Sequence, residues 1–171
     1  MITLKLITRS EIQQYKQISN SIHNDKLNQL ILEVQYNDLR PLIGDSFFLK
    51  MIDEINEGSL DYEDLLDGGT YDYKGVTYTN VGLKAVLASY VYARLIMFGD
   101  VINTPFGSVN KLNNETSKPV DLTTRKTFYQ LNRNEAYNLW LNVERYMART
   151  SFTGYNTCRK NKNTFKISKA G

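Results

Sequence analysis

The segment VGLKAVLASYVYARLIMF, residues 81–98, is the longest apolar run in the chain. Such a run has to be enclosed by lipid or by the rest of the protein. Lys84 and Arg94 interrupt it, and it is barely as long as the roughly 18–20 uninterrupted apolar residues that a membrane span requires. It is therefore predicted to be a helix buried in a protein core, with no membrane partner, and the remaining residues must supply its cover.

The chain has 171 residues, enough for one domain with a genuine core plus appendages. An apolar share of 42% against 23% charged is that of a globular chain. Cys158 is the single cysteine, so no intramolecular disulfide can form, which fits a reducing compartment. The opening MITLKLITRS has neither the basic leader nor the unbroken apolar stretch of a secretory signal, so the product is expected to stay in the cytoplasm where it is made.

Helical signals precede the apolar run. TRSE (Thr8 to Glu11) has the form of a capping box and predicts a helix to about Ile22. Asp25 is placed to cap a second helix, with Leu27, Leu30, Ile31 and Val34 on one face, broken near Leu39 by Pro41 and Gly44. Asp45 then caps SFFLKMIDEINE, with Phe48, Met51, Ile52 and Ile55 inward and Gly58 as the stop. In DGGTYDYKGVTYTNVGLK, the β-forming TYDY and VTYT flank Lys74-Gly75, which predicts a short hairpin, after which Asn80 caps the long helix. Asn103 to Thr123, with two prolines and a glycine, reads as an extended loop. Thr123 or Thr124 begins a last helix with Ala136, Trp140, Val143 and Met147 facing the residue-81 helix. The expectation is a mainly α fold: a bundle of about four to five helices with a small β-hairpin near 70–79, a long inter-helix loop at 103–122 and an extended C-terminal arm. Residues 1–150 make the helical domain and 151–171 a basic arm, in which TFKIS can form one strand on a partner.

Little in this sequence suggests chemistry. A phosphate-binding loop needs its lysine and hydroxyl after the second glycine, but Lys74 precedes Gly75 and Val76 follows it. The dinucleotide pattern is missing as well. With one histidine, His23, and one cysteine, a Cys/His zinc site cannot be assembled within a chain. His23 is read as a helix-terminal residue, since nothing marks an activated serine beside it. The acids of DYEDLLD are read as a solvated surface rather than a metal or catalytic site. No cofactor and no enzymatic activity are expected.

Charge is where the sequence is most uneven. Asp45 to Asp72 carries nine acids against Lys50 alone, a net −8, whereas Arg145 to the end carries seven bases and no acid. Asp61, Glu63, Asp64 and Asp67 form the candidate acidic inter-subunit patch: where the acidic surface of one copy meets the basic surface of the next, contacts are head-to-tail and can close into a ring. The basic tail, interleaved with Tyr155 and Phe165, is equally suited to nucleic acid, the alternative function.

The order of LITRSEI, LRPLIGDSFF, LLDGGTYDYKG, VGLKAVLASYVYAR, TPFGSVNK and RNEAYNLWLNVERYM resembles the head-tail connector, or adaptor, proteins of tailed bacteriophages, especially the neck ring proteins of crAss-like phages. The resemblance runs from Leu6 to Met147. It implies a structural virion protein at the head-tail junction, with about twelve copies in a ring under the portal. The ring would join the portal protein to the next neck or tail ring protein and pass DNA through its lumen without reading sequence. It also implies a portal-docking arm, carried over to Arg159, Lys160, Lys162, Phe165, Lys166 and Ile167. The subunit or ring-ring contact loop falls on Thr104, Pro105, Phe106, Lys111 and Lys118.

Overall fold

In the computed structural model, which describes residues 4–99, 101–104, 107–110, 120–152 and 154–155, the apolar run becomes the helix α6 (Leu83–Phe98). Its residues Leu83, Ala85 to Val91, Ala93 and Leu95 are all buried, so it is enclosed around its circumference as its composition demands. The fold is mainly α with a small β-hairpin, as expected. In chain order α1 (Arg9–Tyr15), α2 (Asn24–Val34), a π-helical turn (Gln35–Leu39), α3 (Arg40–Ile43), α4 (Asp45–Asn56) and α5 (Glu63–Asp67) precede the hairpin of β1 (Gly69–Tyr73) and β2 (Val76–Asn80). After α6 come β3 (Val101–Thr104), β4 (Gly107–Asn110) and α7 (Leu122–Arg149). Helices α1, α2, α5 and α7 all pack against α6.

Helix α7 runs antiparallel to α6, and polar contacts at both ends set the register. At one end, Arg125 Nε and Nη2 donate to the Ile96 and Met97 carbonyls at 2.9 and 2.8 Å, a guanidinium capping the C-terminus of α6. At the other, Asn142 Oδ1 accepts from the Val81 amide at 3.0 Å. Ala136, Trp140, Val143 and Met147 are buried between the two helices, as their spacing requires.

Several boundaries differ from expectation for local reasons. The Thr8–Glu11 capping box forms, but α1 stops at Tyr15, because Ser19 takes the next segment into a turn through its hydroxyl, which accepts from the Ser21 amide. Pro41 does not break the second helix. The chain passes through the π turn and restarts as α3 with Pro41 in its first turn, where no amide is needed, and Gly44 at φ +89 ends it. His23, Gly44 and Gly82 occupy the N-cap positions expected of Asp25, Asp45 and Asn80; the two aspartates lie in the first turn, where they favour the helix dipole. Helix α7 begins at Leu122 rather than at Thr123 or Thr124, and Asp121 caps it, accepting from the Thr124 amide at 2.9 Å. The predicted loop contains the β3–β4 hairpin, whose β-branched Val101, Ile102, Thr104 and Val109 are strand residues.

The π turn places two polar side chains inside the protein. Gln35 clamps the N-terminal segment, accepting from the Leu6 amide at 2.8 Å and donating to the Leu4 carbonyl at 3.0 Å. Asp38 accepts from Arg94 of α6 at 2.9 Å and from Arg133 of α7 at 2.6 Å, with its side chain only 3% exposed. Arg133 also lies over the rings of Tyr90 and Tyr129, at 5.1 and 5.4 Å.

The β1–β2 hairpin turns at Lys74 and Gly75, both at positive φ, the turn that matches the twist of paired strands. At its base Gly68 and Gly82 lie back to back. A Cβ on Gly82 would sit 2.5 Å from the Leu66 carbonyl oxygen, and one on Gly68 would sit 2.5 Å from that of Asn80. The hairpin can close onto the start of α6 only because neither position has a side chain.

Two stability measurements follow. Asp38→Ala removes the carboxylate that both guanidinium groups share, leaving Arg94 its longer contact with Glu33 at 3.8 Å, and is expected to cost about 3 kcal/mol in urea unfolding; a loss below about 1 kcal/mol would deny the site structural weight. Gly82→Ala and Gly58→Ala both place alanine at positive φ, but Gly58 faces open space. The first should therefore cost about 1–3 kcal/mol more than the second, and equal losses would contradict the close approach.

Candidate functional site

The acid-rich segment leaves most of its carboxylates on the surface. Asp53 and Glu57 lie on and just after α4, and Asp61, Glu63 and Asp64 surround the start of α5; all five are exposed. Among the described residues none of the five pairs with a lysine or arginine. Asp67 belongs elsewhere: it bonds Lys84 at 2.5 Å, which in turn holds Glu11 at 2.6 Å and ties α1 to α6. Of the four residues expected to form the acidic patch, Asp61, Glu63 and Asp64 are thus available for a partner, while Asp67 is engaged within the chain.

Beside this face is a groove of about 560 Å³ lined by Lys50, Glu54, Asp61, Tyr62, Tyr146 and the turn Thr150 to Phe152. The end of α7 builds one wall. Ser151 takes φ +51, and the Phe152 amide reaches back to the Met147 carbonyl at 3.0 Å, closing the helix with a left-handed residue. The reversal throws Phe152 onto Phe47 and Tyr62, with ring centroids 6.1 and 5.8 Å apart, and Tyr155 then meets Phe47 at 5.8 Å. Residues Ser151, Phe152, Gly154 and Tyr155 therefore belong to the folded body rather than to a free arm. The residues carried over as a portal-docking arm, Arg159, Lys160, Lys162, Phe165, Lys166 and Ile167, lie outside the described residues.

At the other end of α7 several large apolar side chains stand exposed among polar ones. Between Leu122 and Glu135 only Arg125 is buried, while Leu122, Phe128 and Leu131 are 57, 45 and 57% exposed. Phe98 and Val120 are exposed beside them, and Phe128 and Val120 line a cleft of about 380 Å³ with Tyr92, Leu95 and Ile96. The sequence held a sign of this surface: Phe128 and Leu131 are one helical turn apart, outside the spacing set by Ala136 and Trp140. Of the expected contact loop, Thr104 ends β3, and Pro105, Phe106, Lys111 and Lys118 lie outside the described residues.

The tyrosines of the hairpin hold the last helix. Arg149 donates to the Tyr71 hydroxyl at 3.1 Å and lies over the rings of Tyr78 and Tyr73 at 4.0 and 5.3 Å. His23 is exposed at its helix end, and among the described residues no group of three His, Cys, Asp or Glu could hold a metal ion.

In the groove, burial raises the phenol of Tyr62 above the ordinary tyrosine range, and its hydrogen bond to Glu54 raises it further. Burial likewise raises Tyr146, and Tyr90 beside α7. Because these phenols lose their protons later in the folded chain than in the unfolded one, their stabilising contribution is complete below about pH 10 and declines as pH rises above it. Titration followed by phenolate absorbance should show a late group of tyrosines that ionises together with loss of helix, and Tyr62→Phe should flatten the alkaline fall in stability. Ionisation of all the tyrosines near the ordinary value with the fold intact would contradict this.

Comparison with known proteins gives a family rather than a function. A model described as a family of unknown function, DUF6712, matches residues 39–165. The match begins at the last residue of the π turn and extends beyond α7, leaving α1 and α2 before it. No curated protein and no solved structure matches the chain. With most of its length matched by that model, the chain belongs to the DUF6712 family.

Proposed function

We propose that this protein is a structural subunit of a bacteriophage neck ring, joining the portal to the next tail component and acting by assembly rather than by catalysis. The observation that carries the reading is the pair of unlike surfaces at opposite ends of α7. An apolar surface lies around Phe128 and Leu131, and the acidic face lies beside the end of the helix at Thr150. At 1.5 Å per residue the two are roughly 30 Å apart along α7. Two different, separated surfaces suit a chain that meets unlike neighbours at its two ends; an acidic surface met by the basic residues of the next copy is a head-to-tail contact, and such a contact generates a ring when its rotation closes. A symmetric dimer would need only one self-complementary patch.

The body between the two surfaces suits a spacer. The antiparallel α6–α7 pair is cross-tied by Arg125 and Asn142, and the Asp38 ion pairs tie both helices to the π turn. The mild net charge of +3 conceals an acidic face and a basic tail, which suits a protein that meets unlike neighbours without binding DNA sequence-specifically.

Light-scattering mass, measured at low and high salt with and without a candidate portal protein, tests the reading. The expected result is a large complex, formed alone or with the portal, that weakens in high salt. Leu131→Asp combined with Phe128→Asp should abolish the complex while leaving the free energy of urea unfolding within about 1 kcal/mol of the original, because both residues are exposed. A chain that stays monomeric with the portal yet binds DNA with a steep salt dependence would replace this reading by the nucleic-acid one.

A further inference from the structure

We propose that the surface shared by the β1–β2 hairpin and the last two turns of α7 binds the phosphate backbone of double-stranded DNA without reading its sequence. Three cations make this surface: Lys74 at the hairpin turn, and Arg145 and Arg149, one helical turn apart on α7. Lys74 and Arg145 are exposed and Arg149 is half-buried. None of the three has a carboxylate partner among the described residues, whereas Lys16, Arg40, Lys50, Lys84, Arg94 and Arg133 each have one.

The fold brings these cations together. Asn142 accepts from the Val81 amide and donates to the Thr79 carbonyl at 3.1 Å, which lays the hairpin along the end of α7. Tyr71 and Tyr73 share a strand face, and Tyr78 joins them there because it pairs with Tyr71 across the hairpin. Arg149 contacts all three tyrosines, and Lys74 Nζ lies 5.3 Å from the centroid of the same Tyr73 ring that Arg149 covers at 5.3 Å. The neighbouring carboxylates point elsewhere. Asp72 is on the other face of the hairpin, where the Thr77 hydroxyl donates to it at 2.6 Å, and Glu144 is roughly 140° around the helix from Arg149. Asp64, whose charge acts on Tyr146, bounds the cationic surface on the side of the acidic residues.

This arrangement selects the partner. Arg149 gives one of its five N–H groups to Tyr71, and its guanidinium is already held over two rings, so much of its rotamer freedom is lost on folding rather than on binding. The rings themselves are engaged by the cations and by each other, Tyr71 stacking on Tyr78 at 5.8 Å, and offer unpaired bases little platform. Contact is thereby confined to phosphate, the sequence-independent kind. An acidic peptide carries at most one charge per about 3.3 Å of its length. The duplex carries one per about 1.7 Å and releases condensed counterions when it binds. The inference goes beyond the ring reading and does not rest on it, because a monomer presents the same surface.

The test is fluorescence anisotropy of a short labelled DNA duplex titrated with the full chain between about 50 and 200 mM salt. Binding should weaken steeply with salt. Lys74→Asn combined with Arg145→Gln should lower the slope of log K against log salt by about 2 and weaken binding at the lowest salt on the order of tenfold. Helical circular dichroism should be unchanged, since both positions are exposed and asparagine accepts the positive φ of position 74. Lys5→Gln combined with Lys126→Gln removes the same charge from exposed positions elsewhere and should leave the slope as it was. The basic residues beyond position 155 are present in every variant, so they cannot produce the difference. Equal losses in the two variants, no duplex binding by the parent chain, or tighter binding of a single strand of the same length would each overturn the proposal. So would binding of a polyglutamate peptide that the Lys74→Asn, Arg145→Gln variant loses while it keeps the duplex. A chain that assembles with the portal but ignores the duplex would sink this proposal and leave the ring reading standing; a monomer that binds the duplex through this surface would do the reverse.

Discussion

The carboxylate of Asp38 accepts from Arg94 of α6 and Arg133 of α7, joining three segments far apart in sequence at a site almost closed to water. Apolar packing alone would let α6 and α7 slide or rotate against the first helices, because contacts between aliphatic side chains are weakly directional. A buried carboxylate that needs two guanidinium groups has one acceptable arrangement, and departures from it leave a charge uncompensated. The π turn makes that arrangement possible. Its wider backbone, in which the Arg40 amide reaches the Gln35 carbonyl, directs both Gln35 and Asp38 inward from one short segment. The first fixes the N-terminal segment and the second fixes the α6–α7 pair.

Features carried by periodicity were legible in the sequence. The buried apolar helix, the Ala136–Met147 stripe, the Thr8–Glu11 box and the Lys74-Gly75 turn all follow from local spacing and turn chemistry. The π turn was not legible. Its residues QYNDL have an ordinary helical composition, and Pro41 signals a break that the restarted helix avoids. Nor was the Gly68–Gly82 contact, although both glycines stand in the sequence. Each is needed because of the other, and nothing local to either position records that pairing.

The candidate surfaces show the same division. The acidic face was readable as a run of unpatterned carboxylates, but the engagement of Asp67 with Lys84 depends on where α1 and α6 meet. The sequence placed the boundary of the basic arm at residue 151. Ser151 in a left-handed conformation instead turns the next aromatic residues back onto α4, as sequence composition could not show, since glycine is the usual occupant of such a position.

Helix α7 gives these features a common logic. Its second half is held by Trp140, Val143 and Met147 in the core and by Arg149 among the hairpin tyrosines. Its first half is anchored mainly through Arg125 at the end of α6 and Arg133 at Asp38. Those two arginines let the helix project without a wide apolar stripe facing its own body, and Leu122, Phe128 and Leu131 remain on the outside. An exposed helix held mainly by guanidinium contacts is a poor way to enlarge a core, because apolar area that could have been buried stays in water. It is a good way to present apolar residues on a rigid support to another chain. The long last helix therefore has two roles: one half closes the fold, and the other half offers a surface that the fold leaves uncovered.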